Sequence, residues 1–173
     1  MSTVAAAITT SIDQAILMVL QKVKRLAQEY RALTGKPLGI TGEVAEYEAA
    51  HKLELELTAA RQAGYDAIER RPDGTVRYLQ IKGRCMLPGC KPSQPLGRID
   101  RKKDWDAVLM VLLDENFDAL EIYEAERADV LRELDIEGSK ARNERGALGV
   151  SKFKAIGKLR WRRAEGKTSN TSL

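Results

Sequence analysis

Three polar residues near the middle of the chain have the types and spacing of a hydrolytic metal site. Asp66 is followed, across the turn sequence Pro72-Asp73-Gly74, by Gln80-Ile81-Lys82. Proline presets φ, aspartate bonds its own backbone and glycine adopts positive φ, so the turn predicts a β-hairpin. With these three residues at the tip, Asp66 lies opposite Gln80, and Lys82 lies on the same face as Gln80. The hairpin is therefore expected to bring a carboxylate, an amide and an ammonium group together.

These groups can bind a divalent metal ion. Mg²⁺ prefers hard oxygen ligands and often takes only one or two carboxylates, together with waters and substrate phosphate. We therefore expect Mg²⁺, or Mn²⁺ in its place, on Asp66, the amide oxygen of Gln80 and the carbonyl of Ile81. Lys82 is expected to orient the attacking water or to neutralise negative charge that builds on a scissile phosphate. The alternative is a hairpin in which an aspartate meets a lysine by chance.

The first helix carries no chemistry but has a regular apolar seam. A capping box at Ser11–Gln14 predicts its start, and Gly35 and Pro37 predict its end. Apolar residues recur at alternating spacings of four and three, which approaches a heptad repeat. The seam can pack against its own domain or pair with a second copy of the chain. We expect the second arrangement, a homodimer. Its members are Ile12, Ile16, Val19, Val23, Leu26, Tyr30 and Leu33.

A second helix is predicted from Thr41, as its N-cap, to Leu53. Glu43 falls in its first turn, and Glu46 lies about one turn later on the same side. Glu43 can face the hairpin and hold a metal-bound water, or it can simply interact with the helix dipole. Besides the hairpin, the sequence predicts strands at 53–57, 107–113 and 119–123. It also predicts helices at 126–134 and 152–159.

Two basic segments predict an anionic partner. Residues 84–104 hold six Lys/Arg against two Asp and have no periodicity, and residues 139–167 hold ten Lys/Arg against two Glu. Such clusters contact nucleic-acid phosphates in a salt-dependent way, although a solvated basic tail is the alternative. The residues expected to contact DNA are Arg84, Lys91, Arg98, Arg101, Lys102, Lys103, Lys152, Lys154 and Arg160.

Composition narrows the class of protein. Two cysteines and one histidine cannot supply the four ligands of a structural zinc site within one chain. The sequence has no glycine-rich phosphate loop, no apolar run long enough to cross a bilayer and no secretory signal at its start, so we expect a cytoplasmic protein that does not contact membranes, with reduced thiols. The expected layout is a long helix at 1–37, a core at 38–135, a basic extension at 136–163 and a disordered tail at 164–173.

The order of these elements resembles the PD-(D/E)XK, or restriction-endonuclease-like, nuclease superfamily. The motif aspartate of the superfamily matches Asp66, and its E-x-K matches Gln80-Ile81-Lys82 in the glutamine variant found in Mrr-like enzymes. The helix glutamate of related members matches Glu43, with Glu46 as the second choice. The resemblance implies an α/β fold in which a mixed sheet of about five strands is flanked by helices. It also implies a Mg²⁺-dependent endonuclease that cleaves DNA.

Two other functions remain open from the sequence. Gln80 lacks the charge that helps to bind a divalent cation, so the chain could be a catalytically silent relative that binds DNA or regulates a partner. The apolar seam of the first helix allows a third hypothesis, a structural dimerisation protein.

Overall fold

The computed structural model describes residues 2–58, 64–91, 93–138, 142 and 144–164, and it describes side chains from residue 14 onward. The helices are α1 (Ser2–Thr34), α2 (Thr41–Leu53), α3 (Arg127–Asp135) and α4 (Val150–Ile156). The strands are β1 (Glu56–Leu57), β2 (Ala67–Arg70), β3 (Val76–Cys85), β4 (Ala107–Leu113), β5 (Ala119–Glu126) and β6 (Lys158–Arg162).

The strands form one mixed sheet in the order β1-β2-β3-β4-β5-β6. All neighbours are antiparallel except β3 and β4, which run parallel and are joined by residues 86–106. The predicted α/β class and central mixed sheet are confirmed. The sheet has six strands where about five were expected.

Two apolar layers cover the sheet. Leu79, Ile81 and the odd-numbered residues of β4 pack against α1 and α2, where Ala27, Ala45 and Ala49 are fully buried. The even-numbered residues of β4 pack against α3, α4 and the connection between β3 and β4. Every residue of β4 is buried, because successive side chains of a strand point to opposite faces and both faces are covered.

Several predicted boundaries are wrong. The helix predicted at 152–159 is α4, which ends at Ile156, and residues 158–159 belong to β6. α1 begins at Ser2 rather than Ser11, because its alanine-rich start favours helix. Ile40 rather than Thr41 is the N-cap of α2, and no side chain caps this helix. The strand predicted at 53–57 shortens to β1, because α2 continues through Leu53.

The basic C-terminal segment contains a strand that the sequence does not predict. β6 pairs with β5 and forms the edge of the sheet. Trp161 packs partly against the core beside α1 and α2, and the Lys52 ammonium lies 5.3 Å from the centre of its ring. Apart from Ala164, the tail predicted at 164–173 lies outside the described residues.

Among the described residues, no helix combines the length and apolar character that crossing a bilayer requires. Cys85 and Cys90 are free thiols, and burial raises the pKa of the Cys85 thiol.

Candidate metal centre and nucleic-acid interface

The hairpin has the register that the turn predicts. Ala67 pairs with Leu79 and Arg70 with Val76, which places Asp66, just before β2, across from Gln80. The turn closes through Arg71, whose N–H donates to the Thr75 carbonyl at 2.9 Å, and Gly74 has a φ of 85°. The Asp73 carboxylate accepts the Thr75 N–H at 2.9 Å. The chemistry of this turn therefore sets which residues face each other at the site.

Asp66 lies where β2 begins and is held by β3. Its backbone N–H donates to the Leu79 carbonyl at 2.8 Å, and its Oδ2 accepts the Ile81 N–H at 2.7 Å. Because the N–H and carbonyl of a strand residue point to the same side, the Ile81 carbonyl faces the same edge as Asp66. Among the described residues, the Ile81 N–H and the Lys82 ammonium both contact Oδ2, so Oδ1 is the oxygen that can face a cation.

Gln80 presents a buried acceptor at this place. Its side-chain Nε2 donates to the Gly64 carbonyl at 2.9 Å, which fixes the orientation of the amide. The residue is only 5% exposed, and its buried Oε1 has no hydrogen-bond partner among the described residues. An unpaired buried acceptor costs about 1–3 kcal/mol, so a donor or a cation at Oε1 would stabilise the site. The donor set, with one carboxylate and neutral oxygens, fits Mg²⁺.

Lys82 points toward Asp66 and lies beneath the connection between β3 and β4. Its Nζ is 4.0 Å from Asp66 Oδ2, and both side chains are half-buried. The aliphatic part of Lys82 lies under Gly97, where an added Cβ would be 3.7 Å from Lys82 Cδ. The ammonium group is therefore held near the carboxylate while remaining accessible to solvent.

The first turns of α2 add two more carboxylates to this region. Burial, together with the negative charges of Asp66 and Glu43, raises the pKa of Glu46 above its ordinary value. Lys82 partly offsets this effect. Glu46 is half-buried and Glu43 is exposed. The structure thus couples Glu46 electrostatically to Asp66 and Lys82, and it places Glu43 close enough to act on Glu46.

Asp66, Lys82 and Glu46 interact electrostatically, and Glu43 adds a further negative charge beside Glu46. Within the described ranges, however, no three Asp, Glu, His or Cys side chains are close enough to share one metal ion. A cation at this site would therefore depend on Asp66 and neutral oxygens, with α2 contributing charge or water contacts.

The backbone packing between α2 and β3 depends on Gly83. A Cβ at this position would lie 2.5 Å from Ala45 Cβ and 2.7 Å from the Thr41 carbonyl oxygen. Only a glycine lets the first turns of α2 approach the strand this closely. This role was not predicted from the sequence, although a glycine directly after Gln-x-Lys within a strand is itself a signal of close backbone approach.

The first two residues of the predicted loop, Arg84 and Cys85, belong to β3. Residues 86–104 contain no helix among those described, as their prolines predict, and we call residues 84–104 the basic loop. The loop is fixed to the start of α4 and the segment before it by three backbone hydrogen bonds of 2.8–2.9 Å. These join Leu96 to Leu148, Ile99 to Gly146 and Val150 to Gln94. The loop thus forms an ordered surface beside Lys82.

The predicted DNA-binding residues of this loop differ in their surroundings. Arg84 is half-buried and donates from Nε to Gln94 Oε1 at 2.8 Å. Arg101 pairs with Asp135. Four further side chains are exposed or half-buried on the loop surface, namely Lys91, Arg98, Lys102 and Lys103.

The C-terminal candidates are paired with acidic residues of the same chain. Arg160 bonds Glu69 at 2.8 Å and also pairs with Glu124. Lys154 pairs with Glu121 at 2.5 Å, and the exposed Lys152 with Glu133 at 3.4 Å. Their charges are therefore largely balanced within the fold, whereas the basic loop carries more solvent-exposed basic side chains.

No protein-family model matches the sequence, and no curated protein matches it either.

Proposed function

We propose that this protein is a Mg²⁺-dependent nuclease that hydrolyses DNA phosphodiester bonds at the Asp66–Gln80–Lys82 cluster. The observation that carries the proposal is the convergence of a fixed carboxylate, a buried unpaired amide oxygen and a lysine. Unpaired buried polar atoms and perturbed carboxylates are concentrated at functional sites.

Each residue of the cluster has a role that its position supports. Asp66, held through Oδ2, would bind the metal through Oδ1, with Gln80 Oε1 and the Ile81 carbonyl as further oxygens. Bound Mg²⁺ supplies the acidity that makes a water nucleophilic near neutral pH. Lys82 would neutralise charge that develops on the phosphate during attack. Glu46 or Glu43 would accept a hydrogen bond from a water at the site.

The basic loop supports DNA as the substrate. Lys91, Arg98, Lys102 and Lys103 present positive charge on the loop whose Gly97 lies over Lys82. Contacts from such residues to phosphates position a duplex without reading its sequence. Binding through them is expected to weaken steeply as the salt concentration rises.

The experiment is cleavage of supercoiled plasmid and of single-stranded DNA in Mg²⁺ or Mn²⁺, with EDTA as the blank. Asp66→Asn keeps an acceptor for the Ile81 N–H, and it should lower the cleavage rate by at least about a hundredfold, as should Lys82→Ala. Asp73→Asn in the turn and the exposed Lys36→Ala are matched controls that should cleave normally. No metal-dependent cleavage by the wild type, or equal cleavage by Asp66→Asn, refutes the proposal.

The second candidate is a DNA-binding protein with a silent nuclease fold. The specific observation in its favour is the neutral Gln80 at the position where the superfamily motif has an acid. This candidate predicts DNA binding that depends on salt and on Lys102 and Lys103. It also predicts binding that is indifferent to Mg²⁺ and to Asp66→Asn, which an electrophoretic mobility shift with and without EDTA measures.

A further inference from the structure

The α1 helix leaves its apolar seam uncovered. Val19 is 56% exposed, Leu26 58% and Leu33 86%, and Ile16 and Tyr30 are also exposed. Val23 is half-buried, and the side chain of Ile12 lies outside the described residues. The alternation of four and three therefore marks an outward face of the helix and not its contact with the core.

α1 binds its own domain through a different face. Ala27 is fully buried and Leu20 packs beside it against the core. Lys24 bonds Glu48 at 2.7 Å and Asp118 at 2.8 Å, and the Arg31 guanidinium lies 5.0 Å from the centre of the Phe117 ring. Since these contacts dock the helix, the seam is not needed to fold the chain.

We propose that the α1 seam pairs with the α1 seam of a second copy of this chain in an antiparallel, two-fold symmetric dimer. The seam positions are the a and d positions of a heptad, whose side chains fill holes on a facing helix. In a two-fold interface each contact occurs twice. In one antiparallel register, Val23 packs against Leu26 of the other copy. The same register pairs Val19 with Tyr30 and Ile16 with Leu33.

Charge complementarity selects this orientation. Lys22 and Glu29 flank the seam on one side and are both exposed. In the antiparallel register, Lys22 of each copy lies beside Glu29 of the other, which gives two reciprocal ion pairs. In a parallel pair, Lys22 would face Ala27 and Glu29 would face Thr34 of the other copy. Ala27 is already buried in its own domain. Flanking charges of this kind set the orientation of helix pairs.

The size of the seam sets the expected strength of the dimer. From Ile16 to Leu33 it runs about 25 Å along the helix, at 1.5 Å per residue. This is shorter than the three to four heptads of an independent coiled coil, so we expect a dimer that dissociates on dilution into the micromolar range.

Sedimentation velocity over a range of concentrations tests the pairing. The wild type should be dimeric at high concentration, and Val19→Asp and Leu26→Asp should remain monomeric while keeping the wild-type circular dichroism. Met18→Asp is the matched control, because Met18 is 61% exposed but lies off the seam, and it should dimerise normally. A monomeric wild type, or dimers that survive both seam substitutions, would overturn the proposal.

A charge exchange tests the orientation. Lys22→Glu should weaken the dimer by roughly tenfold, because it sets two glutamates against each other at both ends of the pair. The double variant Lys22→Glu/Glu29→Lys restores both ion pairs and should recover wild-type affinity. Failure of the double variant to recover overturns the antiparallel register. None of these substitutions touches the Asp66 cluster, so the outcome is independent of the proposed nuclease activity.

Discussion

Gly83→Ala tests the packing that holds α2 over the candidate site. The added Cβ would lie 2.5 Å from Ala45 Cβ and 2.7 Å from the Thr41 carbonyl oxygen. Carbon atoms pack at about 3.5–4.0 Å, so at least one of these contacts overlaps by roughly 1 Å. Neither obstacle can turn away: Ala45 is fully buried, and the carbonyl belongs to the helix backbone.

The expected loss of stability follows from this overlap. β3 is held in place by its parallel pairing with β4, in which Gly83 lies opposite Val111, so α2 has to move outward. Inserting one carbon atom into such a packed contact destabilises a protein by about 1–3 kcal/mol. The displacement would also move Glu43 and Glu46 away from Asp66, so any cleavage activity should fall as well.

Gly42→Ala is the matched control on the same helix. No atom lies within 4 Å of a Cβ at Gly42, and alanine favours helix over glycine by up to about 1 kcal/mol. The free energy of unfolding should therefore be lower for Gly83→Ala than for the wild type, and equal or higher for Gly42→Ala. Urea unfolding, followed by the fluorescence of the buried Trp105, measures both differences. If Gly83→Ala is as stable as the wild type, the close packing of α2 on β3 is wrong.

Three further predictions concern charge. Burial and the charges of Asp66 and Glu43 raise the pKa of Glu46. Ionised Glu46 therefore destabilises the folded state at pH values above 4.5, the ordinary pKa of the side chain. In EDTA, Glu46→Gln should raise the free energy of unfolding at neutral pH, and urea titrations should show that this gain disappears below pH 4.5. Gln80→Glu adds a carboxylate beside Asp66 and should raise Mn²⁺ affinity by tenfold or more, about 1.4 kcal/mol, in isothermal titration calorimetry. Arg77→Ala leaves buried Glu69 and Glu124 short of a partner and should cost about 3 kcal/mol in urea unfolding, whereas Arg70→Ala removes an exposed pair with Glu56 and should change stability by less than about 1 kcal/mol.

Each of these predictions has a contradicting result. A stability difference between wild type and Glu46→Gln that is independent of pH would show that Glu46 is not strained by its neighbours. Equal Mn²⁺ binding by Gln80→Glu would place the metal away from β3. Equal losses for Arg77→Ala and Arg70→Ala would show that burial does not decide the strength of these ion pairs.

Local chemistry in the sequence was sufficient to predict the centre of the fold. The Pro72–Gly74 turn sets the hairpin register, because its residues fix the length of the loop, and the predicted alignment of Asp66 with Gln80 follows from it. β4 was predicted at its observed bounds, because a continuous apolar run of seven residues is typical of a strand covered on both faces.

Elements whose stability comes from distant partners could not be predicted in the same way. β6 lacks alternating apolar residues, and most of its side chains are exposed. Its basic residues are instead balanced across the sheet, where Arg160 meets Glu69 and Arg162 meets Glu121. This complementarity exists only once β2, β5 and β6 are assembled, so no local pattern signals it.

The candidate site was predicted in part. The types and spacing of Asp66, Gln80 and Lys82 were sufficient to predict that they converge. The orientation of the buried Gln80 amide depends on its contact with Gly64, and the coupling of Glu46 to Asp66 depends on the packing of α2. Both are tertiary contacts. A glycine within a strand signals a close backbone approach, but the partners of Gly83, Ala45 and Thr41, are defined only when α2 packs on β3.

The most direct test of the proposed metal site is a crystal structure of the protein soaked with Mn²⁺, with the metal located by its anomalous scattering. We expect one strong peak bound to Asp66 Oδ1 and Gln80 Oε1, with Lys82 nearby, and no peak there in Asp66→Asn crystals soaked in the same way. A saturating soak in which Mn²⁺ binds elsewhere, or leaves this site empty, would contradict the proposed metal centre.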